Sequence, residues 1–277
     1  MQSGSMNQVT KADLNPRLET PVVILSCPDE LSDFATPERQ EEMRGIYAQP
    51  GVIVVDNVVG EPLLAGLREG LSDYRRKFKE KFNFGRPETD SFKRAYDETI
   101  KRMTELTRML FGYDLKGAGT MSYRPLITAD EPLHYDTYDV PCGEISLMAV
   151  LNFDIRPRVW NVGPSFREIC RDSAADIEEI LKKKNPGESP SVPIRSAGLK
   201  GFGPLKAGTP LHHIEFAPGA VWYANPKTTS HQIVYGGGAH FQQWNINVSD
   251  CACQACLFEA LGVNVPNLRA PAPATPA

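Results

Sequence analysis

The sequence predicts a mainly β protein in which short strands close into a barrel and helices pack outside one face. Two observations predict this fold. Two amphipathic helices stand in the first part of the chain, and from about residue 118 the pattern changes to short strands divided by Pro and Gly. Because an amphipathic helix must bury its apolar stripe against another layer, the combination is typical of a double-stranded β-helix, the jelly-roll or cupin-like barrel of many metal oxygenases.

The chain has 277 residues, of which 41% are hydrophobic and 23% charged, and we expect one domain. Residues 1–5, before a second Met, resemble a cloning scar. Residues 6–117 are expected to hold an irregular segment and the flanking helices. Residues 118–250 are expected to form the barrel, and residues 251–277 a cysteine-rich segment and a disordered Ala/Pro tail.

The elements before the barrel follow from apolar spacing. A β-branched run predicts a strand over residues 51–55. Helical spacing predicts a helix over residues 61–82, with the apolar positions Leu63, Leu64, Leu67, Leu71 and Tyr74. A second helix is predicted over residues 89–111, with Thr89 or Asp90 as its N-cap and Gly112 as its stop.

The barrel strands are predicted from short apolar runs between turn residues. They are residues 119–123, 145–153, 211–216, 220–223, 232–235 and 241–248. A helical insert is predicted over residues 165–184. Its apolar face, formed by Ile169, Ile177, Ile180 and Leu181, is modest, so we expect a helix on the surface.

His134 and Asp136 stand two positions apart and form the leading candidate metal motif. In a strand, residues i and i+2 share a face, so both side chains can point into a barrel. A distant third ligand, His231, leaves room for several strands to fold between the two parts of the site. Two imidazoles and one carboxylate form the facial triad suited to Fe(II), which leaves three coordination positions for a 2-oxo acid and O2.

A second His-x-acid motif, His213 and Glu215, competes with the first. The histidines downstream of it, His231 and His240, are too close in sequence for a barrel to fold between them. We therefore expect His212, His213 and His240 to be structural or surface residues. His240 follows three glycines and is the one of these that could contact a substrate.

Five segments of the chain are similar in order and spacing to the motifs of one enzyme family. They are Ser122-Tyr-Arg-Pro125, His134-x-Asp136, Pro157-Arg-Val-Trp160 with Gly163 and Phe166, Phe216-x-Pro-Gly-x-Val-Trp222 and Thr229-Ser-His231. The chain resembles the Kdo hydroxylases over roughly residues 118–248. These Fe(II)/2-oxoglutarate oxygenases hydroxylate 3-deoxy-manno-octulosonic acid (Kdo) in the inner core of bacterial lipopolysaccharide.

The resemblance implies iron ligation by His134, Asp136 and His231, with 2-oxoglutarate and O2 as co-substrates. It also implies a substrate of the sugar-acid type. The segment at residues 137–143, which we expect to border the substrate, differs from the family's version. The resemblance therefore specifies the chemistry better than it specifies the substrate.

The arginine that often binds the distal carboxylate of 2-oxoglutarate is missing from its usual place. Such an arginine follows the second histidine in many of these enzymes, because a guanidinium can make two hydrogen bonds to a carboxylate. Residues 231–248 contain no Arg and no Lys, and the Kdo hydroxylases are similar in this respect. The predicted substitutes are led by Arg124 and then Arg158, followed by Arg156 and Arg195, with further hydrogen bonds from Tyr123, Gln243 and Asn245.

The composition limits the classes of partner that this protein can bind. The net charge of −4 is not that of a typical nucleic-acid-binding protein, and no apolar run is long enough to cross a bilayer. We expect a small polar or anionic substrate and a cytoplasmic location; peripheral contact with a membrane stays open. Three cysteines, Cys251, Cys253 and Cys256, could hold zinc with Cys142, Cys170 or a histidine, or could be buried thiols or form a disulfide.

The predicted function is hydroxylation of a C–H bond by an Fe(II)/2-oxoglutarate-dependent dioxygenase. Two alternatives use the same residues. One is a non-haem iron oxygenase or oxidase that does not use 2-oxoglutarate, which the missing arginine favours. The other is a non-catalytic cupin-like binding module, which would bind iron without consuming O2.

Overall fold

The computed structural model of the chain describes residues 9–77, 89–124, 128–129, 132–136, 143–172, 174–183 and 210–247. The described helices are a 3-10 helix at Leu31–Phe34 and α1 to α5 at Pro37–Ala48, Glu61–Lys77, Asp90–Phe111, Phe166–Asp172 and Ala174–Lys182. The described strands β1 to β11 are Lys11–Asp13, Val22–Ser26, Val52–Asp56, Thr120–Arg124, Thr128–Ala129, Glu144–Asn152, Arg158–Ser165, His212–Phe216, Val221–Ala224, Thr229–Gly236 and Ala239–Asn247. The predicted cloning scar, the cysteine cluster Cys251, Cys253 and Cys256, and the Ala/Pro tail lie outside these residues.

The strands form two sheets. The five-stranded sheet has the order β1-β8-β7-β10-β5, and the six-stranded sheet has the order β2-β3-β9-β6-β11-β4. Neighbouring strands are antiparallel except β2 and β3, which are parallel. The predicted mainly-β class with a few helices is therefore confirmed. Among the described helices, none combines the length and apolarity that crossing a membrane requires.

The two sheets face each other across a layer of buried side chains, which we call the inner layer. The six-stranded sheet contributes Val54, Val150 and Trp222, and the five-stranded sheet contributes Trp160 and Phe216, among others. The opposite side of the six-stranded sheet packs on the helices through a second layer, the helix-side layer, which is larger. It includes Ile53, Leu147, Tyr223, Leu106 and Phe111.

The two predicted long helices are confirmed, and their ends follow the expected caps. In α3 the Thr89 hydroxyl accepts a hydrogen bond from the Phe92 N–H at 3.3 Å. Gly112 ends the helix at a φ of 69°, and its N–H donates to the Arg108 carbonyl at 2.8 Å. For α2, residues 61–77 are helical, and the predicted end at 78–82 lies outside the described part of the chain.

Two elements were missed or mispredicted because their local patterns are weak. Helix α1 lies in the segment expected to be irregular and buries only Met43 and Tyr47, so its periodicity is faint. Strand β7 carries Gly163 and Pro164, which resemble turn residues. The insert predicted over 165–184 forms α4 and α5, which keep charged residues such as Arg171 and Glu179 exposed, as expected of helices on the surface. Its apolar positions Ile169, Ile177 and Leu181 are at most 4% exposed, because the helices pack against the protein.

Candidate metal centre

His134 lies in an extended segment, residues 132–136, that joins the five-stranded sheet through one β-bridge. Its N–H donates to the carbonyl of His231 on β10 at 3.0 Å, and the His231 N–H donates back at 2.9 Å. The Asp136 N–H donates instead to the carbonyl of Pro226, in the loop before β10, at 2.8 Å. The prediction that His134 and Asp136 share a regular strand is therefore corrected, because the segment leaves the sheet after a single pair.

Three side chains converge where this segment meets β10. One ligand atom from each of His134, Asp136 and His231 lies within 4.8 Å of the other two. Nε2 of His134 is 3.8 Å from Oδ1 of Asp136, and the centroids of the two imidazole rings are 4.5 Å apart. The structure therefore brings together the three residues that the sequence nominated as metal ligands.

Backbone carbonyls orient both imidazoles. Nδ1 of His134 is 2.8 Å from the carbonyl oxygen of Pro132, and Nδ1 of His231 is 3.2 Å from the carbonyl oxygen of Thr229. A carbonyl can only accept, so each Nδ1 carries the proton and each Nε2 keeps its lone pair. This is the tautomer in which a histidine binds a metal ion through Nε2.

Burial keeps His231 in its neutral form. Loss of solvent lowers the pKa of His231 well below its ordinary value. The carboxylate of Asp136 opposes this shift, while the charges of His134 and, to a smaller extent, Arg158 add to it. A neutral imidazole is the ligand form of histidine, so His231 can bind a cation near neutral pH without first losing a proton.

Trp160 on β7 forms one wall beside His231. Strands β7 and β10 are antiparallel, with His231 opposite Val162 and Ile233 opposite Trp160. The indole of Trp160 stacks on the His231 ring, with centroids 5.0 Å apart and planes 24° from parallel. Trp160 is 2% exposed, so its predicted place in the core or a pocket wall is confirmed.

Arg158 lies on the inner side of β7, two residues before Trp160. Its side chain is buried at 3% exposure, and its Nη1 donates to the carbonyl of Gly237 at 3.3 Å. A Cβ built on Gly236 would clash with the guanidinium, so the glycine turn between β10 and β11 makes room for it. This role of the turn was not predicted from the sequence. The sequence signal for it is the run of three consecutive glycines directly after the strand of His231.

Arg124, the leading predicted co-substrate residue, is placed differently from Arg158. It ends β4, opposite Ala239 on β11, and is exposed. Its guanidinium carbon lies 5.0 Å from the centroid of the Phe241 ring, and that of Arg158 lies 6.0 Å from the same ring. The two arginines therefore flank one aromatic side chain, but only Arg158 is buried.

The three predicted hydrogen-bonding residues do not form one group with the triad. Tyr123 lies in the helix-side layer, where its hydroxyl donates to the Leu67 carbonyl at 3.0 Å, and not in the inner layer with Trp160. Gln243 Nε2 donates to Ser146 Oγ at 2.7 Å. Asn245 is exposed near the far end of β11.

The remaining described histidines have structural environments. His212 accepts the Asn15 N–H at 3.0 Å through Nδ1, and its Nε2 lies 2.9 Å from the Thr20 carbonyl oxygen. His213 is about half exposed and lies 3.9 Å from Glu215, so the competing motif is a surface pair. His240 is buried edge-on to Tyr96, on the helix side of the sheet and away from the triad. The predictions for His212 and His213 are confirmed, and His240 is not placed to contact a substrate.

Comparison with known proteins found similarity in structure alone. No protein-family model matches the chain, and no curated protein matches its sequence. The Kdo hydroxylase KdoO in complex with cobalt(II) superposes with a TM-score of 0.62 at 16% identity, over 91% of this chain and 99% of that one. KdoO in complex with α-ketoglutarate and Fe(III) superposes with a TM-score of 0.60 at 17% identity, over 89% of this chain and 97% of that one.

The structural match agrees with the resemblance seen in the sequence motifs. It extends over the helices and both sheets rather than over residues 118–248 alone. At 16% identity, the TM-score of 0.62 shows a common fold. The predicted resemblance to the Kdo hydroxylases is therefore confirmed in three dimensions, and this chain has the fold of KdoO over nearly its whole length.

Proposed function

We propose that this protein is a non-haem Fe(II)/2-oxoglutarate-dependent dioxygenase that hydroxylates a C–H bond of a small polar substrate of the sugar-acid type. The observation that carries the proposal is the convergence of His134, Asp136 and His231 on one point. The structural neighbour KdoO is described as a non-haem Fe(II) α-ketoglutarate-dependent dioxygenase and has been crystallised with α-ketoglutarate and Fe(III). The strand orders of the two sheets support a double-stranded β-helix as the scaffold.

The residues present fit an Fe(II) ion. Two nitrogen donors and one carboxylate are the donor set of the facial triad, and both imidazoles hold the tautomer with Nε2 available. The ligands lie on two segments that the paired hydrogen bonds between His134 and His231 hold together. With iron, 2-oxoglutarate and O2 bound, the centre would supply oxidative decarboxylation to succinate and CO2, coupled to hydroxylation of the substrate.

The residues of the protein bind and orient 2-oxoglutarate and exclude water. Arg158 is the better anchor for the distal carboxylate of 2-oxoglutarate than Arg124, because it is buried in the inner layer and its charge reaches His231. A guanidinium shielded from solvent attracts a carboxylate more strongly than one in water. Trp160 and Ile233 exclude water beside the ligands, which protects the reaction from side reactions.

Reconstitution with Fe(II) tests the proposal. We expect the wild-type protein to bind about one Fe(II) and to convert 2-oxoglutarate to succinate, with succinate formation stimulated by Kdo or another sugar acid. The matched pair is His231→Ala, which removes a ligand, and His213→Ala, which removes the exposed competing histidine. Only His231→Ala should abolish succinate formation.

The outcomes separate the alternatives. Substrate-dependent O2 consumption without succinate would replace the proposal with an iron oxygenase that does not use 2-oxoglutarate. Iron binding without O2 consumption under any sugar acid tested would indicate a binding module. Loss of activity in His213→Ala, with activity retained in His231→Ala, would remove the assignment of the triad.

A further inference from the structure

One row of side chains on the inner side of β7 connects the candidate metal centre to Arg158. Residues 158, 160 and 162 alternate with the outward residues of the strand, and all three are buried. Val162 is opposite His231, so the row runs from the triad past Trp160 to Arg158. A ligand that reaches from the metal centre to Arg158 must pass the indole of Trp160.

The indole ring of Trp160 is held on three sides by aromatic rings. It stacks on His231 and meets Trp222 and Phe216 edge-on, with centroids 5.4 and 5.6 Å away. These contacts fix the plane of the ring, which is 2% exposed. The position of its one polar group, Nε1–H, is therefore fixed as well.

That polar group has no hydrogen-bond partner in the described part of the chain. A buried donor without an acceptor costs about 1–3 kcal/mol relative to one that is hydrogen-bonded. Such groups are uncommon in folded proteins and call for an explanation in each case. The indole N–H can only donate, so whatever satisfies it must bring an acceptor atom.

We propose that Trp160 is a ligand-binding residue whose Nε1–H donates a hydrogen bond to an oxygen of the 2-oxo acid bound beside His231. The inference rests on the proposed function, because that function places an oxygen-rich acid between the triad and Arg158. The indole then performs two tasks. Its ring fixes the orientation of His231, and its N–H recognises the co-substrate. In this apolar layer one hydrogen bond to a carboxylate or keto oxygen is strengthened by the low local dielectric.

The chain offers a matched control. Trp222 is also fully buried in the inner layer, and its Nε1 also has no partner in the described residues. In the described part of the chain, the Trp222 ring meets Trp160 edge-on and stacks on Phe216 with centroids 4.0 Å apart. It makes no ring contact with His231 there. Replacing either tryptophan by phenylalanine removes a buried indole N–H from the same layer. Only the Trp160 replacement changes a ring that stacks on the candidate metal ligand His231.

Calorimetric titration of zinc-loaded protein with 2-oxoglutarate is the first test, since zinc binds without turnover. We expect Trp160→Phe to weaken 2-oxoglutarate binding about tenfold, which corresponds to about 1.4 kcal/mol. Its zinc affinity should stay within about twofold of wild type, because phenylalanine keeps a ring against His231. Trp222→Phe keeps a ring edge-on to Trp160 and should change both affinities by less than about twofold.

Nuclear magnetic resonance of the wild-type protein gives a second test that needs no folded Trp160 variant. The chain has three tryptophans, so ¹⁵N-labelled zinc protein should show three indole N–H signals. Addition of 2-oxoglutarate should shift the Trp160 signal downfield. The Trp244 signal should not move, because its Nε1 already donates to the Gly117 carbonyl at 3.3 Å.

The failures are distinguishable. If wild-type protein loaded with metal binds no 2-oxoglutarate, the proposed function fails and this inference fails with it. If wild type binds 2-oxoglutarate while Trp160→Phe binds it equally well, or the Trp160 signal stays in place, only the inference is overturned. Equal weakening in Trp160→Phe and Trp222→Phe also overturns it, because the effect would then come from packing.

Discussion

The buried tyrosine hydroxyls of the helix-side layer and the buried indole N–H groups of the inner layer differ in their hydrogen bonding. In the helix-side layer, tyrosine hydroxyls find partners within the protein. Tyr47 donates to the Ser146 carbonyl at 2.6 Å, Tyr123 to the Leu67 carbonyl at 3.0 Å, and Tyr223 shares a hydrogen bond with Thr107 at 3.0 Å. These hydroxyls join helices to strands of the six-stranded sheet.

The inner layer differs from the helix-side layer in the hydrogen bonding of its aromatic side chains. Trp160 and Trp222 keep indole N–H groups without partners in the described residues, and the Arg158 side chain is buried at 3% exposure. The candidate metal centre lies at the edge of this layer. We infer that the helix-side layer mainly stabilises the fold, whereas in the inner layer the unpaired N–H of Trp160 is available to a ligand. Substitutions in the helix-side layer should therefore change the free energy of unfolding. Substitutions at the metal centre and in the inner layer should change activity and ligand binding.

Asp136→Ala is expected to separate activity from stability most strongly. Loss of this carboxylate should reduce Fe(II)-dependent succinate formation by more than about 100-fold, since even the partners of metal ligands cost 10–100-fold when removed. The free energy of unfolding of the metal-free protein should change by less than about 0.5 kcal/mol, because Asp136 is partly exposed. Denaturant unfolding measures the free energy of unfolding, and a succinate assay measures the activity. A large loss of stability would break the comparison.

The reverse effect is expected from Phe111→Ala in the helix-side layer. Phe111 is fully buried and contacts the rings of Tyr47 and Tyr223 at 5.7 and 5.0 Å. Its truncation should lower the free energy of unfolding by about 3–5 kcal/mol, because it leaves a cavity. The protein that remains folded should bind metal and 2-oxoglutarate as wild type does, measured by calorimetry at low temperature. Equal loss of stability and affinity would show that the two layers are not separate.

A smaller and more local effect is expected from Gly236→Ala. The added methyl group would displace the guanidinium of Arg158, which is the mobile end of a flexible side chain. The KM for 2-oxoglutarate should rise about tenfold, or about 1.4 kcal/mol, with kcat within about twofold of wild type. Gly45→Ala is the control, because a methyl group at Gly45 in α1 meets nothing within 4 Å. An unchanged KM would remove Arg158 as the anchor.

The smallest effect concerns His212, a buried histidine outside the candidate metal centre. Burial lowers the pKa of His212, and its hydrogen bond to Thr20 opposes the shift. Because the folded protein keeps His212 neutral, the unfolded chain binds a proton that the folded chain does not once the pH falls below the ordinary pKa of histidine. The free energy of unfolding therefore falls as the pH drops below about 6.5, and the contribution is absent at higher pH.

Denaturant unfolding of metal-free protein at several pH values checks this prediction. His212→Gln should lose less stability than wild type on acidification, since the titrating group is gone. The exposed His213→Gln should follow wild type. The same acid dependence in all three proteins would show that His212 is not the responsible group.

Much of the local structure could be predicted from the sequence, because it depends on residues close to one another. Helix α3 has a strong apolar stripe and caps at both ends, and the barrel strands β6 and β11 have clear apolar runs. Helix α1 has few buried residues to mark its face, and β7 carries turn-like Gly163 and Pro164. Where the local pattern is weak, tertiary packing decides the element, and single-sequence reasoning misses it.

The sequence by itself determined which residue types could bind iron and that one of them, His231, stands far along the chain from the other two. Only the tertiary structure decided that His134 pairs with His231 through two backbone hydrogen bonds, so that the imidazoles meet. It also decided that Arg158 is buried in the inner layer while Tyr123 faces the helices. Alternation along a strand shows that neighbouring residues face opposite sides, but only the packing of a second sheet and of helices determines which side is which.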